Sequence, residues 1–114
     1  MKIYIDIDET ICTKVDDGDY SKAKPIEKNI EMANELYDDG HKITYWTARG
    51  SISGIDWEEV TIRQLDEWGC KRHGLELTKP SYDLFIDDKV LNARVWEKRG
   101  NEMAKRVTIG GVKP

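Results

Sequence analysis

An α/β fold with a central, mainly parallel sheet is predicted for this 114-residue chain. Short apolar runs alternate with helical stretches, and a glycine follows each stretch. The runs Ile3-Tyr4-Ile5, Ile43-Thr44-Tyr45-Trp46 and Leu84-Phe85-Ile86 read as buried strands bounded by turn residues. Polar clusters sit directly after them: Asp6 and Asp8, then Thr47, then Asp87 and Asp88. Core packing does not account for such placement, and in open α/β sheets ligands bind at the carboxyl ends of the strands. Carboxylates and a hydroxyl at those ends point to a metal-assisted phosphoryl site.

Taken in order, residues 2–7 form the first expected strand. The polar segment Lys14 to Lys24, with Asp16-Asp17-Gly18-Asp19 inside it, reads as a loop or short flap. Pro25 then opens a helix in which Ile26, Ile30, Ala33 and Leu36-Tyr37 recur at helical spacing. Gly40 suits the left-handed position after its last turn, while Asp38 and Asp39 oppose the helix dipole and favour fraying. A second strand from about His41 to Trp46 leads into the loop Arg49-Gly50-Ser51-Ile52-Ser53-Gly54. Asp56 with Glu59 three residues on resembles a capping box. It opens a helix that ends before Gly69, with Trp57, Thr61, Leu65 and Trp68 on one face. Leu75-Glu76-Leu77 reads as a short strand, Tyr82 to Ile86 as a buried one, and Val90–Arg99 as a helix stopped by Gly100. Val107-Thr108-Ile109 reads as an edge strand. No repeat or interdomain linker interrupts the chain, so residues 1–114 are read as one domain.

Composition narrows the function. Lys and Arg total 18 against 22 Asp and Glu, a formal charge of −4, which argues against a general nucleic-acid-binding surface while leaving a small nucleotide open as a substrate. The hydrophobic fraction is only 39%, but four Trp and five Tyr supply large areas to bury. Cys12 and Cys70 make neither a disulfide framework nor a metal-ligand spacing with histidine, which suggests a reduced, cytoplasmic protein. No signal-like segment precedes Ile3, and the longest apolar stretches are too short to span a bilayer, so no membrane is expected as partner.

Asp6-Ile7-Asp8-Glu9-Thr10 is the sharpest motif. Two aspartates spaced by two where a strand runs out approach one small volume. One can attack phosphorus while the other protonates the leaving oxygen. Like charges so close favour a neutralising divalent cation. Asp87 offers hard oxygen to Mg²⁺, and Asp88 is divided between the metal shell and the cap of the following helix. The Thr47 hydroxyl and the backbone at Thr47 and Ala48 suit a phosphate oxygen, and Arg49 could add a bidentate contact. Lys79, kept out of a helix by Pro80, could neutralise charge on nucleophile and phosphoryl group. His41, His73 and Cys12 read mainly as structural, with a substrate contact left open for His73.

The pattern resembles the haloacid dehalogenase-like (HAD) phosphohydrolase superfamily. Four short motifs match in order from residue 6 to residue 88: Asp6-x-Asp8-x-Thr10, Thr47, Lys79 and Asp87-Asp88. The strings Trp46-Thr47-Ala48-Arg49-Gly50 and Lys79-Pro80-Ser81-Tyr82-Asp83-Leu84-Phe85-Ile86-Asp87-Asp88-Lys89 look like a small subgroup labelled capsule-biosynthesis or sugar-phosphate phosphatases. The resemblance implies a three-layer Rossmann-like HAD fold without a cap domain. It implies Asp6 as nucleophile, Asp8 as general acid/base, and Thr47 with Lys79 as phosphoryl ligands. Mg²⁺ would be held by Asp6, Asp87 and the backbone carbonyl of Asp8. Glu9 stands where many members have Gly. The segments after Asp8 and between Thr47 and Lys79 are too short for a cap, which implies an open site unless a loop or a second subunit of a homo-oligomer covers it.

The leading expectation is therefore a Mg²⁺-dependent phosphatase acting on a small phosphorylated substrate, a sugar phosphate or nucleotide. The alternatives are a HAD-like protein phosphatase, since an open site admits macromolecules, and a non-catalytic phospho-accepting receiver-type domain. A receiver wants its acceptor Asp at the end of a central strand, where this chain has Thr47.

Overall fold

The computed structural model describes residues 1–104 and divides into two compact units, Met1–Ser81 and a second that begins at Tyr82. The first contains β1 (Lys2–Ile5), a single 3-10 turn (Tyr20–Lys22), α1 (Glu27–Asp38), β2 (Lys42–Trp46), α2 (Glu58–Glu67) and β3 (Gly74–Glu76). The second contains α3 (Ala93–Arg99). An expected edge strand at Val107-Thr108-Ile109 lies outside the described residues.

The three strands form one parallel sheet in the order β1-β2-β3. Ile3 pairs with Ile43 and Ile5 with Tyr45, while Tyr4 pairs with Thr44. The period of two then sorts the side chains. Ile5, Ile43 and Tyr45 are buried, together with Ile30, Ala33 and Leu36 of α1 and Leu65 of α2. On the other face Tyr4 is 56% exposed and meets Trp46 edge-on at 5.9 Å. These strands are thus buried on one face within their unit.

Both helices of this unit end as their sequences predict, on a left-handed glycine. Gly40 (φ 96°) donates its N–H to the carbonyl of Tyr37, and His41 donates to that of Leu36. Gly69 (φ 70°) and Cys70 repeat the pattern on Asp66 and Leu65. These paired bonds close the last turns. Asp38, unfavourable to the dipole, is met by the Lys71 ammonium at 2.8 Å. At the start of α2 the Asp56 carboxylate accepts from the N–H of Glu58 at 3.0 Å, one residue short of the expected box geometry.

The expected strand over Tyr82–Ile86 is not formed. The segment is irregular, with Leu84 74% and Ile86 87% exposed. Apolar composition supplies strand propensity, but a ladder partner makes the strand, and none pairs with these residues among those described. Among the described residues the sheet is accordingly three-stranded.

Among the described residues no helix is long and apolar enough to cross a membrane.

Candidate active site at the strand ends

The loop after β1 sets Asp6 and Asp8. Ile7, Ile11 and Cys12 are fully buried and anchor it. Its backbone folds on itself: Thr10 and Ile11 donate to the Ile7 carbonyl, and Glu9 donates to that of Cys12 at 2.9 Å. That turn forces Glu9 to φ 63°, the left-handed conformation that costs a side-chain-bearing residue about 1 kcal/mol or more. A glycine at this position would escape that side-chain penalty. Asn29, buried at the start of α1, holds the loop from behind by donating to the Thr10 carbonyl at 2.8 Å.

Asp6 follows β1 with its side chain 39% exposed. Its Oδ1 lies 3.2 Å from Lys79 Nζ, and Thr10 Oγ1 donates to its Oδ2 at 3.4 Å. Lys79 is largely buried at 13%. The backbone beneath brings it there, with Thr47 donating to the Glu76 carbonyl and Lys79 N–H donating to that of Thr47 at 3.2 Å. Its ammonium also lies 5.7 Å from the centre of the Trp46 ring, and Trp46 Nε1 donates to Thr78 Oγ1. The sequence-predicted Asp6, Thr47 and Lys79 thus meet at one end of the sheet, although 73 positions separate first from last.

Arg49 behaves differently from expectation. Its side chain is fully buried, and its fork is closed on Asp8: Nε donates to Oδ2 and Nη2 to Oδ1, each at 2.9 Å. Nη1 donates to Gln64 Oε1 at 2.6 Å and to Thr61 Oγ1 at 3.0 Å, and Nη2 also reaches Cys12 Sγ at 3.8 Å. The ring of Tyr20 covers the guanidinium at 4.8 Å. The Thr47 hydroxyl oxygen, buried, accepts from Arg49 N–H at 3.1 Å. Ala48 lies between them, and its carbonyl accepts from Ser51 N–H to begin the turn at Gly50.

Thr61, Gln64 and Tyr20 belong to this network although the sequence did not single them out for it. Thr61 and Gln64 carried a signal: polar side chains at positions of α2 that share its buried face with Leu65. Tyr20 carried none, because its place depends on how the segment 14–24 folds over α2, where Gln64 Nε2 donates to its carbonyl at 2.7 Å.

Cys12 sits between Asp8 and Arg49, and burial, with the nearby Asp8 charge, pushes its thiol up to about 12. That is the condition of an inert filler. His73 is also structural: its ring stacks on Tyr37 at 4.7 Å and its Nδ1 accepts from Ile43 N–H at 3.1 Å. His41 Nδ1 lies 3.0 Å from the amino terminus.

Asp87 and Asp88 lie in the second unit, both exposed. Asp87 Oδ1 accepts from Lys89 N–H at 2.9 Å, and this bond, with one from Asp88, holds its carboxyl below the ordinary carboxylate range. Asn92 caps α3 by accepting from Arg94 N–H at 2.8 Å, so the cap considered for Asp88 is supplied by another residue.

Mg²⁺ requires hard oxygen donors. In the first unit both Asp8 carboxylate oxygens accept from Arg49, while Asp6 Oδ1 faces Lys79 and its Oδ2 accepts from Thr10. Among the described residues no group of three His, Cys, Asp or Glu side chains gathers as a cation site. The donor set of this unit is therefore incomplete for Mg²⁺.

No protein-family model matches the chain, and no curated protein matches it. A crystal structure of an MCSG target protein from Vibrio cholerae shares the fold at 20% identity and a TM-score of 0.82, covering 96% of this chain and 97% of that one.

Proposed function

We propose that this chain is a phosphoric monoester hydrolase that works through an aspartyl-phosphate on Asp6, in the manner of capless HAD-like phosphohydrolases with a three-layer Rossmann-like core. One observation carries the reading. A half-exposed carboxylate at a parallel strand end is paired at 3.2 Å with a largely buried lysine, and a second carboxylate follows two residues on. A buried ammonium at that distance offsets the repulsion between an anionic nucleophile and an anionic phosphate.

Each step balances. An Asp6 oxygen attacks phosphorus, the bond from phosphorus to the ester oxygen breaks, and that oxygen takes a proton from Asp8. Water then attacks phosphorus, loses a proton to Asp8, and the bond from phosphorus to Asp6 breaks, releasing inorganic phosphate. Lys79, the Thr47 hydroxyl as a donor and the backbone N–H of Ala48 hold the phosphoryl oxygens.

Mg²⁺ enters this reading from the sequence, through Asp6, the Asp8 carbonyl, Asp87 and Asp88, and when bound would supply further charge neutralisation. Small sugar phosphates or nucleotides are the proposed substrates, and the reduced thiols accord with a cytoplasmic setting. The test is turnover of an aryl phosphate by the parent and by Asp6→Asn, with and without Mg²⁺, followed by panels of sugar phosphates, nucleotides and phosphopeptides. Equal rates in parent and variant would remove Asp6 as nucleophile; a phosphopeptide preference would move the substrate class to macromolecules.

A further inference from the structure

We propose that Arg49 is the positioning residue of Asp8 and not a ligand of the substrate phosphate, an assignment whose catalytic meaning rests on the phosphatase reading above. Arg49 and Asp8 stand 41 positions apart, yet the two residues meet fork to fork with paired 2.9 Å bonds. Two parallel bonds between a planar guanidinium and a planar carboxylate fix the orientation of the carboxylate as well as its position. The fork is itself immobilised. A guanidinium has five N–H donors, and Asp8, Thr61, Gln64 and Cys12 between them accept five contacts.

The guanidinium side chain is fully buried, whereas the Asp8 side chain keeps 25% of its surface open. A phosphate oxygen could reach the fork only by displacing Asp8, and nothing is left over on Arg49 to receive it. A buried ion pair is a weak device for stability, since a well-packed apolar pair does as well or better. Its distinctive product is orientation, and orientation is what a group that must give and then take a proton at one point in space requires. Thr61 and Gln64 extend the support to α2, and Tyr20 closes the remaining face.

The test is steady-state kinetics of the parent and Arg49→Lys on an aryl phosphate. Lysine keeps the charge and loses the fork. A fall in kcat of about tenfold or more with KM within about twofold is the expected result, the signature of a misplaced group that does not bind substrate. A raised KM with kcat intact would make Arg49 a phosphate ligand and overturn the proposal, as would unchanged constants. If Arg49→Lys fails to fold, Gln64→Met, which removes one acceptor behind the fork, is read by the same split. If the parent hydrolyses no phosphate ester, the phosphatase reading falls by itself. Arg49 is then judged by a urea-denaturation double-mutant cycle of Arg49→Lys with Asp8→Asn. Non-additive losses uphold the Arg49–Asp8 pairing on which the proposal stands; additive ones end it.

Discussion

Replacing Gly50 by Ala tests the turn that carries Thr47, Ala48 and Arg49 to the strand end. Gly50 has φ 82°, and a Cβ there would fall well inside van der Waals contact of the Ile55 carbonyl oxygen. Gly54, in the same loop, has φ 76° and nothing near such a Cβ. Both substitutions therefore share the backbone term and differ in the collision. The left-handed conformation costs Ala about 1–2 kcal/mol, and the stiffer unfolded chain returns about 0.4–1 kcal/mol. Gly54→Ala should then lose about 1 kcal/mol. Gly50→Ala carries the same loss plus about 1–3 kcal/mol for overpacking against backbone, which has no rotamer to swing aside. With a urea slope of about 1.5 kcal/mol/M the two midpoints should stand about 0.7–2 M apart at equal slope. Urea unfolding followed by tryptophan fluorescence reads the difference. Coincident midpoints for the two variants would refute the close approach of residues 50 and 55.

Three further outcomes follow from the same geometry. Glu9→Gly should hold or raise stability, by up to about 1 kcal/mol, because it relieves a positive φ; a thermal melt showing a loss of that size would remove the strain at this turn. Both thiols should resist an aromatic disulfide reagent at pH 8 until the chain unfolds, since burial raises Cys12 to about 12 and Cys70 to about 11; prompt release of colour from the native protein would contradict that burial. The hydrogen bond from Lys22, at 2.6 Å, lowers the Asp17 carboxyl below its ordinary 3.8, so its contribution to stability is present above that value and is lost as pH falls through the depressed one. A carboxyl-carbon NMR titration should place Asp17 below 3.8 and show Lys22→Ala moving it up; identical midpoints would exclude the pair.

Much of the first unit was legible in the residues because its determinants are local. Gly40 and Gly69, with the residue after each, stop their helices through bonds that span three and five positions, and the Ile30, Ala33 and Leu36 stripe needs only the helical period. Strands β1 and β2 with their carboxyl-end polar residues were likewise written in short runs, and Asp6, Thr47 and Lys79 do gather there. Local rules failed where a distant partner decides. The run Leu84-Phe85-Ile86 has the composition of a strand and no ladder among the described residues. Asp88 had the position of a cap, but the α3 backbone begins where Asn92 can reach it.

Arg49 shows the same division most sharply. The sequence by itself determined that a guanidinium stands two residues after Thr47, at the end of a parallel strand. Only the tertiary structure decided that it faces Asp8, Thr61 and Gln64, three side chains from a loop and a helix that no local pattern connects to it. Propensity and period act over one or two turns of chain, whereas the direction a long side chain takes is set by whichever acceptors the assembled core places around it.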